Sequence, residues 1–175
     1  MKDRRFKFKN SFKSIDSTLI SLCTTMYSWA RFRETKGGIR RNYSFDNRSQ
    51  VPGFLVIREA REHDINAAYR VPIAANSICV LDRGYFWYDF LHKIHENKAF
   101  FVTGTRSNTL YRVLRRNPKV GDSIKADWII KGIGQNADEY PEELRVVRFH
   151  DSESKCTFEF LTGNFKPSAR TIADI

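Results

Sequence analysis

The stretch "SICVLDRGYFWYDF", residues 77–90, decides how the chain is read. A short apolar run, Ile78-Cys79-Val80-Leu81, breaks off at Asp82-Arg83-Gly84. Such a run, bounded by turn residues, is the pattern of a buried strand. The segment after it, residues 86–98, puts Phe86, Phe90, Leu91 and Ile94 on one face of an amphipathic helix. Strand followed by helix is a unit of an α/β fold, and the carboxyl edge of such a sheet is where ligands bind. Asp82 stands at that edge with Arg83 beside it. Alone, Asp82 has a plainer reading, an aspartate opening a turn for which Gly84 supplies the backbone freedom.

Working outward, "AFFVTGT" (99–105) is a further strand, and "HDINAAYRV" is a short helix capped by Asp64. Residues 37–62 read as a hairpin, with strands Ile39–Phe45 and Phe54–Ala60 and a turn at Asp46-Asn47-Arg48-Ser49. Residues 14–29 are ambiguous. Ile15, Leu19 and Leu22 have helical spacing, with Asp16 or Ser17 as a cap, while the Ser, Thr and Ile content allows a strand. Past Arg106, "LYRVLRR", "DSIKADWIIKG", "LRVVRFHD" and "CTFEFLTGNF" are short β segments parted by Gly, Pro, Asn and Asp. They predict a meander or β-rich insertion. "KPSARTIADI" opens another helix.

The 175 residues are enough for one domain with a real core. Net charge is +10, and residues 1–50 carry 12 Lys/Arg against 4 Asp/Glu. A basic front end points to a polyanionic partner, nucleic acid before an anionic membrane surface, with a merely solubilising face as the ordinary alternative. Cys23, Cys79 and Cys156 are widely spaced, which excludes a zinc ribbon or disulfide framework and fits a reducing, intracellular compartment. The charged start "MKDRRFKFKNSFKS" is no secretory signal, and no apolar run is long enough to span a bilayer.

No nucleotide P-loop, GxSxG or HExxH pattern occurs. His92 and His95, at i and i+3, read as solvated helix residues, His63-Asp64 as a helix start, and His150-Asp151 as a turn. Cys23 has no histidine partner in sequence that would make it a nucleophile. The pair Asp16 and Asp82 carries more. If the first strand lies beside the one ending at Asp82, the two carboxylates converge. One or two carboxylates with substrate phosphates suffice for Mg²⁺, and two metals can serve phosphoryl transfer.

The segments "RRFKFKNSFKSIDSTLISLC", "WARFRETKGGIR", "HDINAA", "VLDRGYFWYDFLHKI", "AFFVT", "YRVLRR" and "EELRVVRFHD…FLTGNF" resemble, in order, bacterial insertion-sequence DDE transposases of the Tyr…Arg…Glu…Lys type. The marks "IDST" and "LDRGY" are the most specific. The resemblance implies an α/β fold, an RNase H-like mixed sheet with a β-rich insertion, and it favours a strand for residues 14–22. It implies a basic N-terminal segment (1–13), an RNase H-like core (14–110), the insertion (111–165) and the start of a truncated C-terminal helix (166–175). Asp16 and Asp82 match the first two catalytic, metal-binding acids, for Mg²⁺ or Mn²⁺. Lys36, Arg40, Arg41, Arg83 and Arg106 are the expected DNA-binding cations. The implied partners are double-stranded DNA at element ends and a homodimer, or a heterodimer with full-length transposase; no membrane is implied, and the location is bacterial cytoplasm at the nucleoid. The family's third acid, on the closing helix, has no match, since Glu153 and Glu159 fall in β segments. Gly104 stands where the family tends to have Arg, and Gly163 where Asn is usual. The expectation is therefore a transposase truncated at both ends and catalytically impaired. The alternative is a non-catalytic DNA-binding or transposase-inhibiting protein of the same fold.

Overall fold

The computed structural model describes residues 10–22, 31–33, 36–47, 49–59, 63–118 and 120–175, with the side chains of 31–33, 36, 37, 59 and 64 outside that description. Cys23 and Arg48 lie outside the described residues. In chain order the elements are β1 (Phe12–Leu22), β2 (Arg31–Arg33), β3 (Lys36–Asp46), β4 (Val51–Glu59), α1 (Asp64–Ala68), β5 (Ile78–Leu81), α2 (Tyr88–Glu96), β6 (Phe100–Gly104), β7 (Tyr111–Arg116), β8 (Ile124–Gly132), β9 (Leu144–Asp151), β10 (Cys156–Thr162) and α3 (Ala169–Asp174). The strands form one mixed sheet in the order β2-β3-β1-β5-β6-β10-β9-β8-β7, with β4 also pairing β3.

Residues 14–22 are strand. A helix would have buried Ile15, Leu19 and Leu22 together. Instead Ile15 is 2% exposed and Leu19 is 44% exposed. β1 pairs antiparallel with β3 from Lys13 to Leu22 and parallel with β5 from Phe12 to Ile15. The hairpin of β3 and β4 and the meander β7-β8-β9-β10 are antiparallel, as the turn residues between them require.

Two apolar clusters separate the faces of the sheet. Ile15, Leu81, Phe101, Val146 and Leu161 pack with Phe90, Leu91 and Ile94 of α2 and Ala68 of α1. Ile78, Val102, Ile124 and Val147 pack with Ala169 and Ile172 of α3, joined by Phe12 and Phe160. Alternate residues of a strand serve opposite clusters, as the two-residue period demands. Phe86 is buried but precedes α2, which begins at Tyr88.

Two local expectations are corrected. Asp64 is the first residue of α1, not its cap; His63 holds the cap position with extended backbone and no side-chain cap bond. His150 and Asp151 are the last residues of β9 rather than a turn. The turn starts just after, where the Asp151 carboxylate accepts the Glu153 and Ser154 N–H groups; the Ser154 side-chain hydrogen bond first, and then these two N–H groups, hold its pKa below the usual carboxylate value.

The path from β10 into α3 is fixed by a buried ion pair. Arg145 Nε and Nη2 donate to Asp127 Oδ1 and Oδ2 at 2.8 and 2.7 Å. Its Nη1 donates to the carbonyls of Pro167 (2.6 Å) and Phe165 (3.4 Å). Ser168 then caps α3 through its Oγ, which accepts the Thr171 N–H.

Gly163 is required by packing. A Cβ there would lie 2.9 Å from the Tyr140 hydroxyl and 3.3 Å from Phe101 Cε1. Tyr140 cannot retreat easily, being 1% exposed with its hydroxyl 3.0 Å from His95 Nδ1. Gly163→Ala is expected to cost about 1–3 kcal/mol through overpacking; an unchanged urea midpoint would refute this.

Candidate active site

The site is built by one pairing. β1 and β5 run parallel with Phe12 opposite Ile78 and Ile15 opposite Leu81. The next residue on each strand is an aspartate, Asp16 and Asp82. Neighbouring strands lie about 4.8 Å apart, so these two acids are side by side at the carboxyl end of β5. They also share a face. Phe12 and Ile78 belong to the α3 side of the sheet, and Asp16 and Asp82 stand an even number of residues on; Asp82 keeps extended backbone, φ −63° and ψ 152°. Both are exposed.

Each carboxylate is held by one neighbour or more. Asp82 caps a 3₁₀ turn, Arg83–Tyr85, with Oδ1 accepting the Gly84 N–H at 2.8 Å. Asp16 Oδ1 accepts its own chain's Ser17 N–H at 2.7 Å, and Oδ2 accepts the Tyr43 hydroxyl at 3.2 Å. Tyr43 is directly opposite Asp16 on β3, and the Arg41 guanidinium lies 5.8 Å from the Tyr43 ring centroid. The donor set is exposed carboxylate oxygen, which fits a hard divalent cation such as Mg²⁺ or Mn²⁺ as part of its shell. Among the described residues no group of three or more His, Cys, Asp or Glu side chains comes together.

Glu159 comes to the same edge without joining the pair. It shares the face of Leu161, on the α2 side. Its carboxylate is engaged by Arg148, Tyr111 and the Thr105 hydroxyl. Glu153 is in the β9–β10 turn.

The expected cations divide. Arg83 is exposed on the residue after Asp82. Arg41 is exposed and shares the face of Tyr43 and Asp16. Arg40 pairs with Leu19 and therefore faces the opposite side, away from the acids. Lys36 begins β3, and its side chain is outside the described part. Arg106 lies against the Asp82 turn, with Nε donating to the Arg83 carbonyl at 3.3 Å and Nη2 to the Gly84 carbonyl at 3.2 Å. Tyr43 escaped the sequence reading. Its signal was the alternation Arg41-Tyr43-Phe45 in the hairpin, which gains meaning only once the β1–β3 register is known. On α2, His95 is exposed and His92 half-buried, and both rings also meet the Tyr140 ring edge-on.

The family model described as "Transposase DDE domain" matches residues 7–175. A Sinorhizobium fredii (strain NBRC 101917 / NGR234) protein named as a candidate transposase, y4zB, is 29% identical over 164 residues, covering 91% of this chain and 46% of its own length. A Geobacillus stearothermophilus protein named as the candidate transposase for insertion sequence element IS5377 is 23% identical over 175 residues, covering 98% of this chain and 46% of its own. The chain thus spans about half the length of these relatives. Among solved structures, the piggyBac transposase in a synaptic complex with hairpin DNA superposes with a TM-score of 0.53 at 12% identity, over 90% of this chain and 34% of that one. That likeness concerns the fold, an RNase H-like mixed sheet.

Proposed function

The chain belongs to the transposase DDE domain family, and we propose that it supplies two acids, Asp16 and Asp82, to a divalent-metal site for DNA strand cleavage and transfer. The observation that carries this reading is the parallel β1–β5 register, which sets the two aspartates side by side on one face. When bound, Mg²⁺ or Mn²⁺ would supply Lewis-acid activation of water and of the scissile phosphodiester. Asp16 and Asp82 would hold that cation, and Tyr43 would keep Asp16 turned toward it. Arg83 and Arg41 would meet phosphate oxygens near the acids, a role supported by their exposure. Double-stranded DNA as the partner is supported by the net charge of +10, by the relatives' names and by the DNA in the piggyBac complex. A homodimer, or a heterodimer with a longer relative, at the bacterial nucleoid belongs to the same reading.

With no group of three or more His, Cys, Asp or Glu side chains among the described residues, these 175 residues alone are expected to bind DNA and a divalent cation weakly and to show little strand transfer. DNA affinity should fall roughly 10- to 150-fold between 50 and 200 mM salt if two to four phosphates are contacted. Fluorescence anisotropy on a terminal-repeat duplex measures this; a flat salt dependence would refute the electrostatic reading. Robust Mn²⁺-dependent cleavage by this chain, abolished in Asp82→Ala, would overturn the expected impairment. The second reading, a non-catalytic binder or inhibitor, also draws on the two-acid grouping. It requires DNA affinity indifferent to divalent ions and to Asp16→Ala and Asp82→Ala.

A further inference from the structure

We infer that Arg106 is a positioning residue that sets the Asp82 turn, not a contact for DNA; this rests on the two-acid reading above. Four contacts converge on its guanidinium. Two are the hydrogen bonds to the Arg83 and Gly84 carbonyls, at 3.3 and 3.2 Å. The other two are ring faces, Trp87 at 5.1 Å and Phe86 at 5.8 Å from the guanidinium carbon. A cation held over aromatic faces and bonded to two carbonyls has its planar fork engaged.

The carbonyls it grips belong to the turn that orients Asp82. Gly84, whose carbonyl takes Nη2, also gives its N–H to Asp82 Oδ1. Arg83, whose carbonyl takes Nε, also accepts the Phe86 N–H and so closes the turn. Arg106 is itself fixed by a turn in which its N–H donates to Thr109 Oγ1 and its carbonyl accepts the Thr109 N–H. The guanidinium therefore ties the segment after β6 to the segment after β5, and the tie ends one bond from the carboxylate. Lysine at this position would keep the charge but could not bridge two carbonyls while lying flat on Trp87.

Manganese affinity and DNA salt dependence separate this role from a phosphate contact. Mn²⁺ binding is read from the free-ion EPR signal for the chain, Arg106→Ala, Arg106→Lys and Asp82→Ala, with near-UV circular dichroism reporting the fold. Loss of an outer-shell orienting residue weakens metal affinity by about 10–100-fold. Arg106→Ala and Arg106→Lys should both fall in that range while the log–log salt slope for duplex DNA stays that of the parent chain. If Arg106→Ala does not fold, the lysine variant carries the comparison. Unchanged Mn²⁺ affinity in a folded Arg106→Lys, beside a loss in Asp82→Ala, would overturn the inference and leave the acid pair standing. A salt slope shallower by about one unit in Arg106→Ala would also overturn it, since that is the mark of a lost phosphate contact. Mn²⁺ affinity unchanged in Asp82→Ala would overturn the two-acid reading itself, and this inference with it.

Discussion

Asp127→Ala should lower the stability of the domain by about 3–5 kcal/mol, the cost of leaving one partner of a buried ion pair uncompensated. Asp127 and Arg145 are 5% and 4% exposed, so solvent offers the orphaned guanidinium little relief. The loss would extend beyond the pair. Asp127 Oδ1 also accepts from the Asn117 side chain at 3.1 Å, and Arg145 carries the Phe165 and Pro167 carbonyls on its third nitrogen. Without Asp127 the arginine would lose the anchor that aims it at those carbonyls and loosen the approach to α3, where Ile172 and Ala169 pack with Val147 and Ile124. Urea unfolding measures the change. A double variant, Asp127→Leu with Arg145→Met, should recover part of the loss, because an apolar pair avoids the stranded charge. It should not recover all of it, because two carbonyls lose their donor. A single variant within 1 kcal/mol of the parent would refute the clamp.

Asp16→Asn and Asp82→Asn should each reduce metal-dependent DNA cleavage by a longer polypeptide containing this domain by more than about a hundredfold, beyond the loss typical of outer-shell changes. The amide preserves shape and the local bonds to Ser17 and Gly84 N–H groups while removing the charge a hard cation needs. Folding and salt-dependent DNA affinity should hardly change, since both side chains are exposed. Cleavage measured in Mg²⁺ and Mn²⁺ on a terminal-repeat duplex provides the readout. Wild-type rates in either variant would remove that residue from the site. Tyr43→Phe would give a smaller loss confined to metal affinity, since only the bond to Asp16 Oδ2 is deleted.

Much of the fold was legible because its signals are local. The run Ile78–Leu81, the amphipathic face of α2, the β3–β4 hairpin and the four later strands each declare themselves within a dozen residues. Residues 14–22 did not, because Ile15, Leu19 and Leu22 satisfy a helical period by coincidence while the partners that make them strand are β3 and β5. The two aspartates were legible as candidates, but their adjacency depended on a register that no single segment encodes. Arg40 and Arg106 show the same limit. A cation near the acids in sequence order faces away when a one-residue step reverses the side of the sheet, and another is spent on backbone carbonyls that only the fold brings to it.

The parallel pairing of β1 with β5 has a kinetic side. The meander β7–β10 and the β3–β4 hairpin close through short turns, and antiparallel neighbours of this kind can form early. β1 can meet β5 only after the whole hairpin and α1 have been passed, and such long closures form slowly. The two carboxylates are therefore expected to be among the last groups to become neighbours as the chain folds, which pulsed hydrogen exchange on β1 and β5 would measure. On the proposed reading, a partly folded copy would lack the assembled acid pair, and metal binding by that pair would report that β1 and β5 have met.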